Sequence, residues 1–417
     1  VHIASLLMFW AVGPPTFYRD VLPILQDRCQ QCHRPGEVAP MPFLTYRQVR
    51  PWVKAIRESV ALKRMPPWFA EPGYGPFAND RSLSEREIET LVKWADSGAP
   101  EGDAHDAPPA PHWVEDWNIR TPDLVVQMPR PFQIPATGDV DYQYIVVPTG
   151  FTDDKWVEMA ELRPSNRASV HHAVVYIREP GSSWLREAKP GVPYVPPGDT
   201  PRERLSNGWT TSDILLVYSP GSLAEDWGPA MGKLIKAGSD LVFQFHYTPN
   251  GHATSDQSKI GLVFHRAAPK QRVMTLQLDN DRFVIPPEHP HYRVSAWGTI
   301  PNDTELLSFF PHMHLRGASF EYNIVEPDGK TRTLLRVQPY NFYWQLSYRL
   351  AQPLPVKAGT KLECVAYFDN SRNNPNNPDP EDAVRFGPQS REEMMIGFFD
   401  IAVAPGTDKN EFFVRHR

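Results

Sequence analysis

The chain has only three cysteines in 417 residues. So low a count excludes a disulfide-stapled scaffold. Two of the three sit in one short motif, which leaves Cys364 without an intramolecular partner. No stretch is apolar for the roughly 20 residues that a membrane-spanning helix needs. The apolar run Ile3-Ala-Ser-Leu-Leu-Met-Phe-Trp-Ala-Val-Gly13 is far shorter. It reads as the hydrophobic part of a signal peptide whose basic start is missing, and residues 1–13 are set apart from the fold argument. A basic surplus is lacking too: the net charge is −6, which gives no basis for nucleic-acid binding. Long alanine- or leucine-rich helical runs are few after residue 100. Proline, in contrast, is abundant at 45 residues, about twice its usual share. That balance favours short strands joined by structured loops. The length allows two or three domains, held by packing and metals alone.

Residues 29–33 read Cys-Gln-Gln-Cys-His. Two cysteines at this spacing can each form a thioether to a haem vinyl group, with the next histidine reaching the iron. A zinc site would need more ligands nearby, and the only other cysteine is the distant Cys364. A disulfide between Cys29 and Cys32 leaves His33 unexplained. Covalent haem c is therefore the reading, and because haem attachment takes place outside the cytoplasm, the protein is expected to be exported, periplasmic or secreted.

Helical spacing surrounds the motif. Val21, Ile24 and Leu25 precede it; Val49, Val53, Ile56 and Val60 follow. A third helix opens on a capping box, Ser84 and Glu87, and runs through Ile88, Leu91, Val92 and Ala95 to a stop at Gly98. Residues 14–104 thus resemble a small all-α, monohaem class I cytochrome c domain. Its sixth iron ligand is expected to be Met65, in a loop stiffened by two prolines. Met41 is the rival, with only seven residues between it and His33, and a core methionine is the alternative for either. His/Met ligation suits electron transfer. Residues 105–133, rich in proline, are expected to be a semi-rigid linker with His105 and His112 facing solvent.

Beyond the linker the period changes to two. Leu241, Phe243, Phe245 and Tyr247 alternate with Val242, Gln244 and His246. Phe320, Tyr322 and Ile324 precede a Pro-Asp-Gly turn and a second strand through Leu334 and Val337. Half-buried antiparallel sheet follows, and with it β-sandwiches. Histidines fall in three settings: His171-His172 before an apolar strand, His246 in Phe-Gln-Phe-His-Tyr, and His312 and His314 in Pro-His-Met-His. Residues i and i+2 share a strand face, so His312 and His314 can reach one ion. Adjacent His171 and His172 need a strand end or bulge to converge. Any one of these histidines alone reads as a packed or hydrogen-bonded residue. His252, His265, His289, His291 and His416 match no motif and read as surface or packing residues.

In this order the motifs resemble the copper type II ascorbate-dependent monooxygenases across about residues 135–417. The resemblance implies two all-β jelly-roll sandwich domains, at 134–275 and 276–417, each holding one copper across an open cleft. It assigns His171, His172 and His246 to the first copper. The second takes His312, His314 and Met394, the last within Arg-Glu-Glu-Met-Met; Met395 would face the opposite way into the core. A thioether ligand favours Cu(I), the state that must meet dioxygen. By resemblance the Met394 site is catalytic and the three-histidine site supplies the second electron. Phe310, Ile396 and Phe398 stand where the peptide-amidating members bind a substrate carboxylate, so the substrate is expected to be fairly apolar and glycine-extended peptides poor. The long Asn/Pro-rich loop at 369–380 has no evident chemical role.

The function expected is an exported copper monooxygenase hydroxylating a C–H bond of a small molecule with O2. Its fused haem would deliver electrons to the three-histidine site at raised effective concentration, refilled by an external donor. The alternative is a non-catalytic haem/copper electron-transfer or copper-binding protein. A zinc hydrolase on the same scaffold lacks a general base beside the histidines.

Overall fold

The computed structural model describes residues 13–417 apart from 114–115, 201–202, 205–206, 208–211, 327, 410–413 and 417. The expected signal segment therefore lies outside the described residues, Gly13 aside. No described helix is long and apolar enough to cross a membrane. The chain divides into two compact units: one runs through Trp68 and resumes over Arg81–His112, and the other comprises Phe69–Asp80 and Trp113–Arg417.

Every regular element described in the first unit is helical, the longest being Val53–Ala61 and Glu85–Asp96. The periodic residues make its core, in which Val21, Leu25, Val49, Val53, Ile56, Val60 and Leu91 meet Phe17 and Trp94. Trp94 lies outside the spacing recognised in the sequence. It is fully buried, and its Nε1 donates to the Pro100 carbonyl at 3.0 Å. The Ser84–Glu87 capping box is formed in both directions. A second box, Thr45 with Gln48, starts the helix Tyr46–Val49. Each cap satisfies amides that the first turn leaves without a partner. Gly98, at φ +84°, adopts the left-handed conformation just past the last helix.

The stretch expected as one domain over 14–104 is interrupted. Residues 69–80 carry no helical spacing and belong to the β unit, where Ala70 bridges Val337 and Phe77 bridges Leu350. The expected linker is also shorter than 105–133. Trp117 and Ile119 are buried against Val263, and Leu124–Gln127 forms a strand on Lys259–Phe264. Tryptophan and a β-branched run outweigh the local prolines there. His105 and His112 are both exposed.

The second unit is built on a 13-stranded sheet and a five-stranded one. Strand Asp240–Tyr247 alternates as expected, with Leu241, Phe243, Phe245 and Tyr247 in the main core. Its other face is buried too, so it is not half-exposed. Val170–Arg178 lies between it and Asp213–Tyr218. Gln271–Asp279 continues the sheet: it meets Asp213–Tyr218 at Thr275↔Ile214 and pairs over eight positions with Ile396–Val403. That strand in turn pairs with Thr304–His312. The expected boundary between 275 and 276 thus falls inside a strand that bonds to both lobes, and one sheet carries both sets of histidines.

Gly397 lets strands approach closely beside the site. A Cβ there would lie 2.4 Å from Cys364 Sγ and 3.2 Å from both Phe320 and Tyr322. Gly397→Ala is expected to cost about 1–3 kcal/mol by overpacking, read from the denaturant midpoint of the purified chain. Gly406→Ala, with open space around it, serves as the control and should leave the midpoint unchanged.

Candidate active site

The paired histidines converge because their strand is bulged. Register with Asp240–Tyr247 shifts between Val170 and His172, so that His172 lies opposite His246 and His171 is the extra residue. The bulge turns His171 toward the face that His172 already occupies. The ligand atoms of His171, His172 and His246 all lie within 4.8 Å of one another. His171 Nδ1 and His172 Nδ1 are 3.0 Å apart. Two nitrogens each about 2 Å from a shared tetrahedral ion would sit about 3 Å apart. His246 Nδ1 is buried with no hydrogen-bond partner among the described residues. Three convergent imidazoles, one with an orphaned nitrogen, fit a copper ion.

His312 ends its strand and His314 follows on the same side, their ring centroids 5.3 Å apart. His312 Nδ1 is 2.5 Å from Gln345 Oε1, and His314 Nδ1 is 3.2 Å from the Glu392 carbonyl. Those acceptors fix the tautomer, leaving each Nε2 as the ligand nitrogen. His314 Nε2 is buried without a partner among the described residues. Met394 lines the same cavity as His172 and His312, whereas Met395 is fully buried and does not. These residues also fit a copper ion.

An open cleft between the two sets was expected, and the structure differs. The His172 and His312 rings are 4.9 Å apart. Phe342 stacks on His171 at 4.2 Å and meets His314 edge-on at 6.1 Å. The shared sheet draws the lobes together, and an aromatic ring fills the space left between them.

All five imidazoles are neutral. Burial lowers His171 and His312 to about 4. Burial, with the neighbouring imidazoles adding to it, holds His172, His246 and His314 well below the usual range. A neutral ring is the form that binds a metal.

Several supporting residues went unrecognised in the sequence. Glu393 is fully buried and accepts from the amides of His314 (2.8 Å), Arg316 (2.6 Å) and Met394 (3.3 Å). One carboxyl thus ties the His-x-His turn to the methionine. Burial pushes it up to about 8, against the amide donors and Arg316 that draw it down. Arg316 donates to Asn370 Oδ1 at 2.7 Å and to the Arg391 and Asp379 carbonyls. Asn374 holds the Leu315 carbonyl. The Asn/Pro loop therefore braces the turn that carries His314. Only an arginine two residues after the His-x-His pair hinted at this, since a buried guanidinium requires such acceptors.

In the first unit, Cys32 and His33 both donate amide hydrogens to the Cys29 carbonyl, at 3.1 and 2.9 Å, folding the motif into one turn. His33 stacks on Phe43 at 4.1 Å, and its Nδ1 is 3.1 Å from the Met41 carbonyl. Met65 is half-buried just past the helix Val53–Ala61 and outside the apolar core.

Glu393→Gln replaces an acceptor oxygen by a donor against amide hydrogens. We expect copper affinity at His312, His314 and Met394 to fall about 10–100-fold, with the three-histidine affinity unchanged, as read by chelator-competition titration of the two sites.

Residues 270–400 match the family model described as copper type II ascorbate-dependent monooxygenase, C-terminal domain. His312, His314 and Met394 lie inside that range; His171, His172 and His246 lie outside it. No curated protein matches the chain. Among solved structures, infectious bursal disease virus Gt strain is similar at 11% identity, covering 73% of this chain and 77% of that one with a TM-score of 0.20. The VP2 subviral particle of the same virus is 10% identical over 71% and 76%, also at a TM-score of 0.20. Scores this low carry no argument. On this match, which covers less than half of the chain, the protein is an oxidoreductase of the monooxygenase class.

Proposed function

We propose that this is an exported, copper-dependent hydroxylase that takes its electrons through a haem c on its own helical unit. The reaction is R–H + O2 + 2e⁻ + 2H⁺ → R–OH + H2O. The observation that carries it is the set of five neutral imidazoles beside Met394, four buried and His171 half-buried, two of them with ring nitrogens that have no partner among the described residues. His171, His172 and His246 would hold one copper, and His312, His314 and Met394 the other. Copper supplies one-electron redox chemistry and the activation of O2.

The protein's own residues set the conditions. Gln345 and the Glu392 carbonyl orient the imidazoles of His312 and His314. Phe310, Ile396 and Phe398 wall the cavity with apolar surface and displace water from it. Tyr142, whose hydroxyl is 3.1 Å from His172 Nε2, sits at the meeting point of the two sets. Two coppers per chain and substrate-dependent oxygen uptake, found over a compound panel, are the expected results. Zinc, or no metal, in the purified protein would overturn the assignment.

For the haem, Cys29 and Cys32 would form the thioethers and His33 the proximal ligand. The Met41 carbonyl at His33 Nδ1 supports this, because it leaves Nε2 for iron. It also sets Met41 at the ring end away from iron and against the core, which favours Met65 as the sixth ligand. The group supplies one-electron transfer, and its covalent attachment supports export. Denatured protein should keep its haem on a gel. The ferric protein should show a near-infrared sulfur-to-iron band that Met65→Ala abolishes; a band surviving that change would exclude Met65.

A further inference from the structure

Three strands in register order the cavity wall in rows. His312 lies opposite Ile396 and Asp279; Phe310 lies opposite Phe398 and Gln277; Ser308 lies opposite Asp400 and Thr275. The wall therefore changes from metal-binding to apolar-and-amide to charged along its length. Asp279, in the first row, is buried and does not line the cavity; the other charges lie in the third row and the pocket behind it. Lys233, Asp400 and Glu225 line that second pocket, with Phe310, Phe398 and Val217 as the wall shared with the first.

Those charges are already satisfied by the protein. Lys233 Nζ donates to the Ile214 and Leu215 carbonyls, each at 2.9 Å, and to Thr275 Oγ1. Asp400 accepts from Thr275 and, at 2.9 Å, from Ser308. Glu225 pairs with Arg349 at 2.9 Å. Among the described residues, the cavity beside the histidines has no carboxylate, ammonium or guanidinium in its wall. A charged substrate would lose its hydration there with nothing to replace it, a cost of several kcal/mol per ion.

What the wall offers instead is two glutamines, one from each lobe. Gln244 stands two residues from His246; its Nε2 donates to Tyr144 at 2.6 Å, and its Oε1 is 3.5 Å from the Tyr176 hydroxyl. One N–H of that amide remains for a ligand. Gln277 makes only a long contact, Nε2 to Asp279 at 3.4 Å, and among the described residues nothing donates to its Oε1. An N–H donor and a carbonyl acceptor lining one cavity suit a group that both accepts and donates without charge.

We propose that Gln244 and Gln277 are specificity-determining residues that hold an uncharged substrate by a hydroxyl or amide group. The attacked C–H then lies one row away toward His312 and Met394, roughly 7 Å along the strands. This rests on the reading of the cavity as the hydroxylase's substrate site. A para-substituted benzylic alcohol has that span, with its apolar ring against Phe310 and Phe398.

The test uses the full chain, loaded with haem and copper but without reductant, in calorimetric titrations. The probes are 4-ethylbenzyl alcohol, 4-ethylbenzylamine and 4-ethylbenzoate, which share one skeleton and differ in charge. The alcohol should bind at least tenfold more tightly than either ion. Gln244→Leu should weaken the alcohol several-fold. Gln277→Glu, a near-isosteric change at a half-buried position, should weaken the alcohol and raise amine affinity at least tenfold, with copper content and haem spectrum unchanged. Equal binding of the three probes, no binding of any, or a Gln277→Glu variant with unaltered preference would overturn the proposal. Alcohol binding as expected, with no hydroxylated product once reductant and O2 are supplied, would instead sink the hydroxylase reading and leave the binding site standing. Hydroxylation of the ions in preference to the alcohol would do the reverse.

Discussion

Five imidazoles side by side, four buried and His171 half-buried, are the feature around which the β unit is organised. Each polar ring nitrogen removed from water without a partner costs about 1–3 kcal/mol, and His246 Nδ1 and His314 Nε2 are both in that position. Neutral rings avoid the larger cost of mutual charge repulsion, and burial keeps them neutral. The arrangement is thus unfavourable for the polypeptide alone and becomes favourable when cations complete it. Folding and metal binding are coupled in this sense: ligands held deprotonated, with tautomers fixed by backbone and glutamine acceptors, have little left to reorganise.

Holding such a site requires a scaffold that resists collapse. The continuous sheet provides it, since Gln271–Asp279 bonds both to the His172 lobe through Asp213–Tyr218 and to the His312 lobe through Ile396–Val403. Behind the second lobe, Glu393, Arg316 and Asn370 brace the His314 turn. Each atom of that network answers another: the carboxyl takes backbone amides, the guanidinium takes carbonyls and an amide oxygen, and Asn370 also donates to the Pro286 and Asp382 carbonyls. Removing one member leaves the others buried and unpaired, so the network is expected to fail as a unit.

How much of this could be read from residues alone follows from the range of each interaction. Period-two alternation around His246 and period-3.6 spacing around the helical core are local, and both appear at the residues named. The need for a bulge at His171-His172 was legible because adjacent side chains on a regular strand diverge. The His-x-His pair was legible for the opposite reason. Gln345, Phe342 and Glu393 were not, because each acts on a histidine 30 or more positions away and sits in no periodic pattern. The segments 69–80 and 113–133 misled for a related reason. Their prolines and glycines suggest loops or spacers, yet their strand bonds and buried tryptophan are satisfied by distant partners. The open cleft failed because it came from resemblance rather than from any residue of this chain.

The central claim is that the two histidine sets form one shared pocket, with the His172 and His312 rings in contact at 4.9 Å. Electron paramagnetic resonance of the fully oxidised protein loaded with two equivalents of Cu(II), with any signal present before copper addition recorded and subtracted, tests it most directly. The account predicts two bound ions close enough to broaden or cancel each other's signals, with a simple single-copper spectrum restored in a His171→Ala, His172→Ala double variant. Two undisturbed, independent Cu(II) signals in the unaltered chain, or failure to bind the second ion, would contradict it.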